Sequence, residues 1–442
     1  MPNEFCESHP IKVNYYSTNN PSHHATLEEA VIRGLAPDNG LYMPNHFESM
    51  PLSFFDSLPD ISFSDMAFEV AKHLIGGDVE EHELKKIVDH TIAFDAPLVE
   101  VEENIFALEL FHGPTMAFKD FGARFMSRLL AHLARKRSQE VTILVATSGD
   151  TGSAVANGFL GVEGTRVVVL YPSGKVSEVQ EKQFTTLGQN ITALEVDGTF
   201  DDCQRLVKQA FMDQELQAKM FLTSANSINI ARLIPQSFYY FYAWSRLKRR
   251  DHVVFSVPSG NYGNLTAGLI ATKLGLPIQH FVASTNANDI VPQYLQSKGF
   301  APRQSVATIS NAMDVGDPSN FARIQALFDY DWDKITQAIS GYAFSDSETR
   351  AAMKEIFQTK KYILDPHGAV GFLGLKRYLQ TMPDSIGVFL ETAHPAKFID
   401  VVEDAIQSNI VMPERLREFM AGKKNTIKVD AQFESLKQIL LG

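Results

Sequence analysis

The chain has 442 residues, of which 45% are hydrophobic and 21% are charged, and this composition is typical of a globular protein with two or three domains. Its formal net charge of −12 argues against nucleic acid as a partner. The two cysteines are too few for a disulfide framework or a cysteine-rich metal site, so we expect no metal, and such a low count suits the cytoplasm. Because we find no signal peptide and no apolar run of about 18 residues, we also expect no membrane partner.

Residue usage divides the chain into three regions, which predict an N-terminal domain at 1–95, a central region at 96–400 and a helical C-terminal extension at 401–442. The first region is rich in Ser, Pro, His and Asp. Its apolar periodicity predicts helices at Thr26–Leu35, Phe63–Leu74 and Val79–Ile92.

The central region alternates apolar, β-branched runs with helical patterns. The runs predict strands at Val141–Ala146, Arg166–Tyr171, Val253–Val257, Ile278–Ala283 and Ile386–Leu390. Near-continuous apolar strands separated by helices predict a parallel sheet that is covered on both faces. In such folds a ligand binds beyond the carboxyl ends of the strands.

Two loops at predicted strand ends, Ser148–Gly152 and Gly260–Asn264, are built from Gly, Ser, Thr, Asn, Asp and Tyr. Glycine lets the backbone approach a ligand closely, and N–H groups at a helix start favour an anion. The alternative is ordinary turn and capping chemistry, which every strand-to-helix connection needs. The second loop is the more specific signal, because two Gly and two Asn occupy a place where one capping residue would do.

Lys119 stands directly before a predicted helix that starts at Asp120 and carries an apolar stripe every four residues: Phe121, Phe125, Leu129 and Leu133. Basic residues suit its far end: Arg135, Lys136 and Arg137. A helix start disfavours a cation, and with Met116 and Phe118 beside it the site favours a neutral amine, which can form a Schiff base with an aldehyde. The alternative is a solvated lysine whose stem packs on Phe118.

Two further segments add polar groups. Thr223–Gln236 gathers amides, hydroxyls and Arg232, which can hold a phosphate or carboxylate, although an N-capped amphipathic helix would look similar. Phe389–Phe398 places Thr392 at another predicted strand end. From these residues alone, the chain is an α/β protein that binds a phosphorylated small molecule.

Taken together, the motifs "GPTMAFKD", "SGDTGSA", "TSANSINIARLIPQ", "SGNYGN" and "FLETAHPAKF" resemble threonine synthases, pyridoxal-phosphate enzymes of fold type II. The likeness extends from about Tyr16 to Lys397, and "GLAPDNGLYMP" is similar to the N-terminal domain of that family. The resemblance implies an α/β fold with two three-layer subdomains, each containing a parallel sheet, and an additional small N-terminal domain.

The resemblance also implies roles. Lys119 would carry the cofactor as a Schiff base and serve as acid and base, and Thr392 would bind the pyridine nitrogen. Asp150 would face the phenolic oxygen, where an acid must be protonated or bridged. One loop would bind the cofactor phosphate through its N–H groups: Gly260, Asn261, Tyr262, Gly263 and Asn264. A further set would hold the substrate: Thr151, Asn226, Ser227, Arg232 and Lys175.

The implied reaction converts O-phospho-L-homoserine and water to L-threonine and phosphate, in a monomer or homodimer. Two alternatives remain open. A phospho-lyase on the same scaffold would release 2-oxobutanoate from the same substrate. A non-catalytic ligand sensor would keep the fold without using Lys119.

Overall fold

The computed structural model describes residues 13–135 and 139–442, so the predictions that rest on Cys6, Lys136 and Arg137 lie outside the described residues. The first part of the described chain contains a small antiparallel sheet in the order β2-β1-β3 and four helices. These elements are β1 Tyr15–Ser17, β2 His24–Ala25, α1 Leu27–Arg33, β3 Tyr42–Pro44, α2 Leu52–Ser57, α3 Phe63–Ile75 and α4 Glu81–Thr91.

Local chemistry explains where these helices begin. The Thr26 hydroxyl accepts the Glu29 N–H at the start of α1, and Ser62 accepts the Asp65 N–H at the start of α3. The three predicted helices of this region are confirmed to within two residues at each end.

The remaining strands are β4 Leu98–Glu102, β5 Ile105–Glu109, β6 Val141–Ala146, β7 Thr165–Pro172, β8 Ile191–Asp197, β9 Phe221–Ser224, β10 Val253–Pro258, β11 His280–Thr285, β12 Ile339–Ala343, β13 Ile386–Glu391 and β14 Ile427–Asp430. The remaining helices are α5 Lys119–Ala134, α6 Asp150–Phe159, α7 Glu178–Thr185, α8 Phe200–Met212, α9 Gln214–Lys219, α10 Ile230–Leu233, α11 Phe238–Arg246, α12 Gly263–Lys273, α13 Ile290–Ser297, α14 Phe321–Leu327, α15 Trp332–Ala338, α16 Asp346–Lys360, α17 Pro366–Leu379, α18 Ile399–Ile406, α19 Glu414–Ala421 and α20 Phe433–Leu441. Short 3₁₀ turns lie at Gly76–Asp78, Ile234–Ser237, Asn311–Met313 and Pro395–Phe398.

Two sheets form the body of the protein. One is wholly parallel, in the order β14-β8-β7-β6-β9. The other has the order β12-β11-β10-β13-β5-β4 and is parallel except for the β4–β5 pair. Every residue of β6, β10, β11 and β13 is buried, as expected for parallel strands covered on both faces. The predicted α/β fold with two parallel-sheet units is confirmed.

The C-terminal tail differs from its prediction in one respect. It contains helices α18–α20, but β14 also lies in it and pairs in parallel with β8, Ile427 opposite Leu194. The tail therefore completes a sheet as well as packing on it. Among the described residues, no helix is both long and apolar enough to cross a membrane.

Candidate active site

One cavity of about 340 Å³ lies beyond the carboxyl ends of β6, β10 and β13. It brings together nearly all of the residues predicted from the sequence: Lys119, Asp150, Thr151, Asn226, Ser227, Arg232, Gly260, Asn261, Tyr262, Gly263, Asn264 and Thr392. Lys175 is exposed and is not among the described residues that line the cavity. The five separate segments therefore meet in space, and Lys175 lies apart from them.

Lys119 is the first residue of α5, and the backbone fixes it beside Thr392. Ala117 forms a bridge with Ala393, and the Phe118 N–H donates to the Thr392 carbonyl at 2.8 Å. Burial lowers the pKa of Lys119 from an ordinary 10.5 to about 8, and nearby Asp150 opposes that shift. The prediction of a readily neutral amine is thus supported, with burial as the main physical cause.

The glycine loop between β10 and α12 has a backbone conformation that suits an anion. Tyr262 has a left-handed backbone with φ of 62°, and Gly263 begins α12, so successive N–H groups converge at a helix start. The Asn264 amide donates to the Pro258 carbonyl at 2.8 Å and fixes the loop. Asn261 donates to the Ser227 hydroxyl at 2.5 Å, which joins the loop to residues 226–228, called the substrate segment below because the resemblance assigns Asn226 and Ser227 to the substrate.

Gly260 allows a close approach by a second segment. A Cβ there would lie 2.7 Å from Met313 Cα and 2.9 Å from the Ala312 carbonyl oxygen. This segment also contains Asn311, whose buried side-chain oxygen has no partner among the described residues. The sequence reasoning missed the segment, because only the folded chain brings it over the glycine loop.

Arg232 lies in α10, behind the substrate segment. Its guanidinium donates to the Ala225 carbonyl, while its buried Nε has no partner among the described residues. Gly122 of α5 makes room for it, since a Cβ there would lie 2.8 Å from both the Nε and the carbonyl oxygen of Arg232. Arg232 also lines the cavity, and a guanidinium there suits a phosphate or carboxylate.

Arg323 supports the same segment from below and was missed from the sequence. It is fully buried, and its guanidinium donates to the carbonyls of Tyr42, Ser227 and Ile228 and to Asn320 Oδ1, at 2.7–3.2 Å. One side chain thus ties the N-terminal sheet to the substrate segment.

A buried triad at the opposite wall was also missed. His367 lines the cavity, and its Nδ1 lies 2.6 Å from Asp365 Oδ1, while its Nε2 accepts the Ala312 N–H at 3.2 Å. Burial holds the pKa of neighbouring Glu391 well above its usual range. The triad connects the strand that ends at Glu391, just before Thr392, to the segment over the glycine loop.

Lys397 was also missed from the sequence, and it shows how the Asp150 carboxylate is bridged. Its Nζ lies 2.6 Å from Asp150 Oδ1, and Gln180 Nε2 donates to the same oxygen at 2.9 Å. Burial would raise the pKa of Asp150, but Lys397 and Lys119 outweigh it, so the pKa lies well below the usual range. Asp150 is therefore ionised and bridged. The only sequence signal was a lysine between Ala396 and Phe398, a setting similar to that of Lys119.

These features fit pyridoxal phosphate. The glycine loop and the start of α12 provide N–H groups for a phosphate, Lys119 provides an amine of lowered pKa, and Thr392 provides a hydroxyl at a strand end. Arg232, which also lines the cavity, provides a second group suited to an anion. The cavity thus provides separate places for two anionic groups.

Comparison with known proteins agrees with this reading. The chain matches the family of pyridoxal-phosphate dependent enzymes over residues 91–391, the threonine synthase N terminus over 14–92 and the threonine synthase C-terminal family over 368–440. Threonine synthase of Haemophilus influenzae is 48% identical over 433 residues, which cover 97% of this chain and 100% of that one.

Solved structures give the same result. The crystal structure of threonine synthase from Escherichia coli superposes with a TM-score of 0.91 at 42% identity and covers 97% of this chain and 99% of its own. The PLP-bound threonine synthase from Brucella melitensis also has a TM-score of 0.91, at 33% identity, with 97% and 98% covered. With three family matches along its length and close relatives over almost all of it, this chain belongs to the threonine synthase family of pyridoxal-phosphate enzymes.

Proposed function

We propose that this chain converts O-phospho-L-homoserine and water to L-threonine and phosphate. The observation that carries the proposal is a single cavity lined by an amine of lowered pKa and by two groups suited to anions, the glycine loop and Arg232. The glycine loop suits the phosphate of the cofactor, and Arg232 suits the phosphate of the substrate. The cytoplasmic location and the monomer or homodimer remain predictions from the sequence.

The position of these residues in one cavity supports the following roles. Gly260–Asn264 would bind the cofactor phosphate through backbone N–H groups, and Thr392 would bind its ring nitrogen. Arg232, Asn226 and Ser227 would hold the substrate phosphate, and Thr151 would hold its carboxylate end. When bound, the cofactor stabilises negative charge that develops at the substrate Cα.

Lys119 would do the proton work. With its pKa lowered to about 8 by burial, its amine can both accept and return a proton near neutral pH. It would take the proton from Cα and move protons at Cβ and Cγ while phosphate leaves from Cγ. A water molecule then adds its hydroxyl at Cβ, which gives threonine.

The test is product analysis with O-phospho-L-homoserine and the cofactor-loaded protein. We expect threonine and phosphate in equal amounts, and at least a thousandfold loss of rate in Lys119→Ala, consistent with the loss of a nucleophile and general base. Lys86→Ala, an exposed lysine paired with Glu83, is the matched control and should keep full activity. Phosphate with 2-oxobutanoate in place of threonine would favour the phospho-lyase, and ligand binding without turnover would favour the sensor.

A further inference from the structure

Lys397 is a buried cation for which the reaction outlined above has no use. It lies in the 3₁₀ turn Pro395–Phe398 with 1% of its surface exposed. Besides its contact with Asp150, its Nζ donates to the Thr115 carbonyl at 2.9 Å. A buried lysine is costly unless it is paired and hydrogen-bonded, and both conditions are met here.

The pair is held from several sides. Asp150 is the first residue of α6, where a helix start favours a carboxylate, and Gln180 donates to it. The same Thr115 that accepts from Lys397 donates its N–H and hydroxyl to Asp120, at 2.9 and 2.7 Å. Lys397 is therefore fixed by α6 on one side and by the segment before Lys119 on the other.

The pKa of Lys119 is lowered mainly by burial, and it also depends on both members of the pair. Asp150 raises the pKa of Lys119, while Lys397 and Arg232 lower it. Among the described residues, Asp120 and His394 also interact electrostatically with Lys397, and burial lowers the pKa of His394 to about 4, so that it is neutral at pH 7. Without Lys397, the buried Asp150 carboxylate would be left with Lys119 as its nearest cationic partner.

We propose that Lys397 is a positioning residue: its ammonium engages Asp150 so that the carboxylate does not form an ion pair with Lys119, which leaves the Lys119 amine free for the cofactor. The inference deepens the proposed function and rests on it. A purely structural role, in which Lys397 only fastens its turn to α6, would lower stability without changing the proton affinity of the Lys119 nitrogen.

The experiment is a pH titration of the visible absorbance of the holoenzyme, in which the midpoint reports the proton held at the Lys119 nitrogen. Loss of a nearby cation makes that proton easier to keep. We expect Lys397→Met to raise the midpoint by about one pH unit, a tenfold change, and Lys397→Arg to stay near the wild-type value. An unchanged midpoint in Lys397→Met would overturn the proposal.

Neutral partners provide the matched control. Asp150→Asn alone leaves Lys397 unpaired and should lower the midpoint, whereas Asp150→Asn combined with Lys397→Met removes both charges and should return it towards wild type. This comparison decides the matter even if Lys397→Met does not fold, and a double variant with the midpoint of Asp150→Asn would refute the proposal. If the wild-type protein makes threonine but Lys397→Met does not shift the midpoint, this inference alone is wrong. If the midpoint shifts but no threonine is made, the proposed function alone is wrong.

Discussion

Replacing Arg323 with Met should weaken both the fold and substrate binding. The change removes the donor to four acceptors: the Tyr42 carbonyl and the Asn320 side chain, which are buried, and the carbonyls of Ser227 and Ile228, which are half-buried. At about 1 kcal/mol for each unsatisfied acceptor the loss is about 4 kcal/mol, and relief of the buried charge offsets part of it. We therefore expect a net destabilisation of about 2–4 kcal/mol.

The functional effect should follow from the position of Ser227. Its carbonyl is held by Arg323 and its hydroxyl accepts from Asn261 and Asn320, so a shifted segment weakens substrate contacts. We expect the KM for O-phospho-L-homoserine to rise roughly tenfold, because small displacements in a binding site are costly. For Arg323→Lys we expect a stability and a KM between those of wild type and Arg323→Met, since an ammonium cannot reproduce the planar fork of a guanidinium.

Urea unfolding of the holoenzyme and steady-state kinetics are the assays. Arg246→Met is the matched control, because Arg246 also donates to two carbonyls of the N-terminal region, those of Pro59 and Ile61, but is exposed. Its effect should be within about 0.5 kcal/mol. If Arg323→Met is as stable as Arg246→Met and has the wild-type KM, the reasoning about the buried guanidinium is wrong.

Three further outcomes can be checked. The rate at which the cofactor-free chain takes up pyridoxal phosphate should rise with pH, with a midpoint of about 8, because the neutral Lys119 amine is the nucleophile and burial favours that form. A midpoint near 10.5, as for an ordinary lysine, would contradict this expectation. Gly260→Ala should weaken cofactor binding about tenfold in a fluorescence titration, because its Cβ would meet Met313 and Ala312. Gly299→Ala, whose Cβ would lie 3.6 Å from its nearest neighbour, should leave the affinity unchanged, and equal affinities of the two variants would refute the steric argument. Gly122→Ala should raise the KM for the substrate with little change in cofactor affinity, because its Cβ would displace Arg232; the reverse pattern would show that this wall serves the cofactor.

Local sequence signals were enough for the parts of the site that lie on regular elements. Lys119 was identified by a helix pattern and aromatic neighbours, and the glycine loop by its composition between a strand and a helix. Both features are encoded within about ten residues, and the folded chain brings them to one cavity.

The missed residues depend on contacts between distant parts of the chain. Arg323 meets Tyr42 across 281 positions, and Lys397 meets Thr115 across 282. Strand β14 was missed for the same reason, because only Val429 is buried in it and its partner β8 lies far back in the sequence. Lys175 was included because of the resemblance, but it is exposed after β7 and is not among the described residues that line the cavity.

Borohydride reduction of the cofactor-loaded protein followed by peptide mapping tests the central claim most directly, because it locates the nitrogen that carries the cofactor. We expect the label on Lys119, at the start of α5 beside Thr392. Label on Lys397 or on any other lysine, or none on fully active protein, would contradict it.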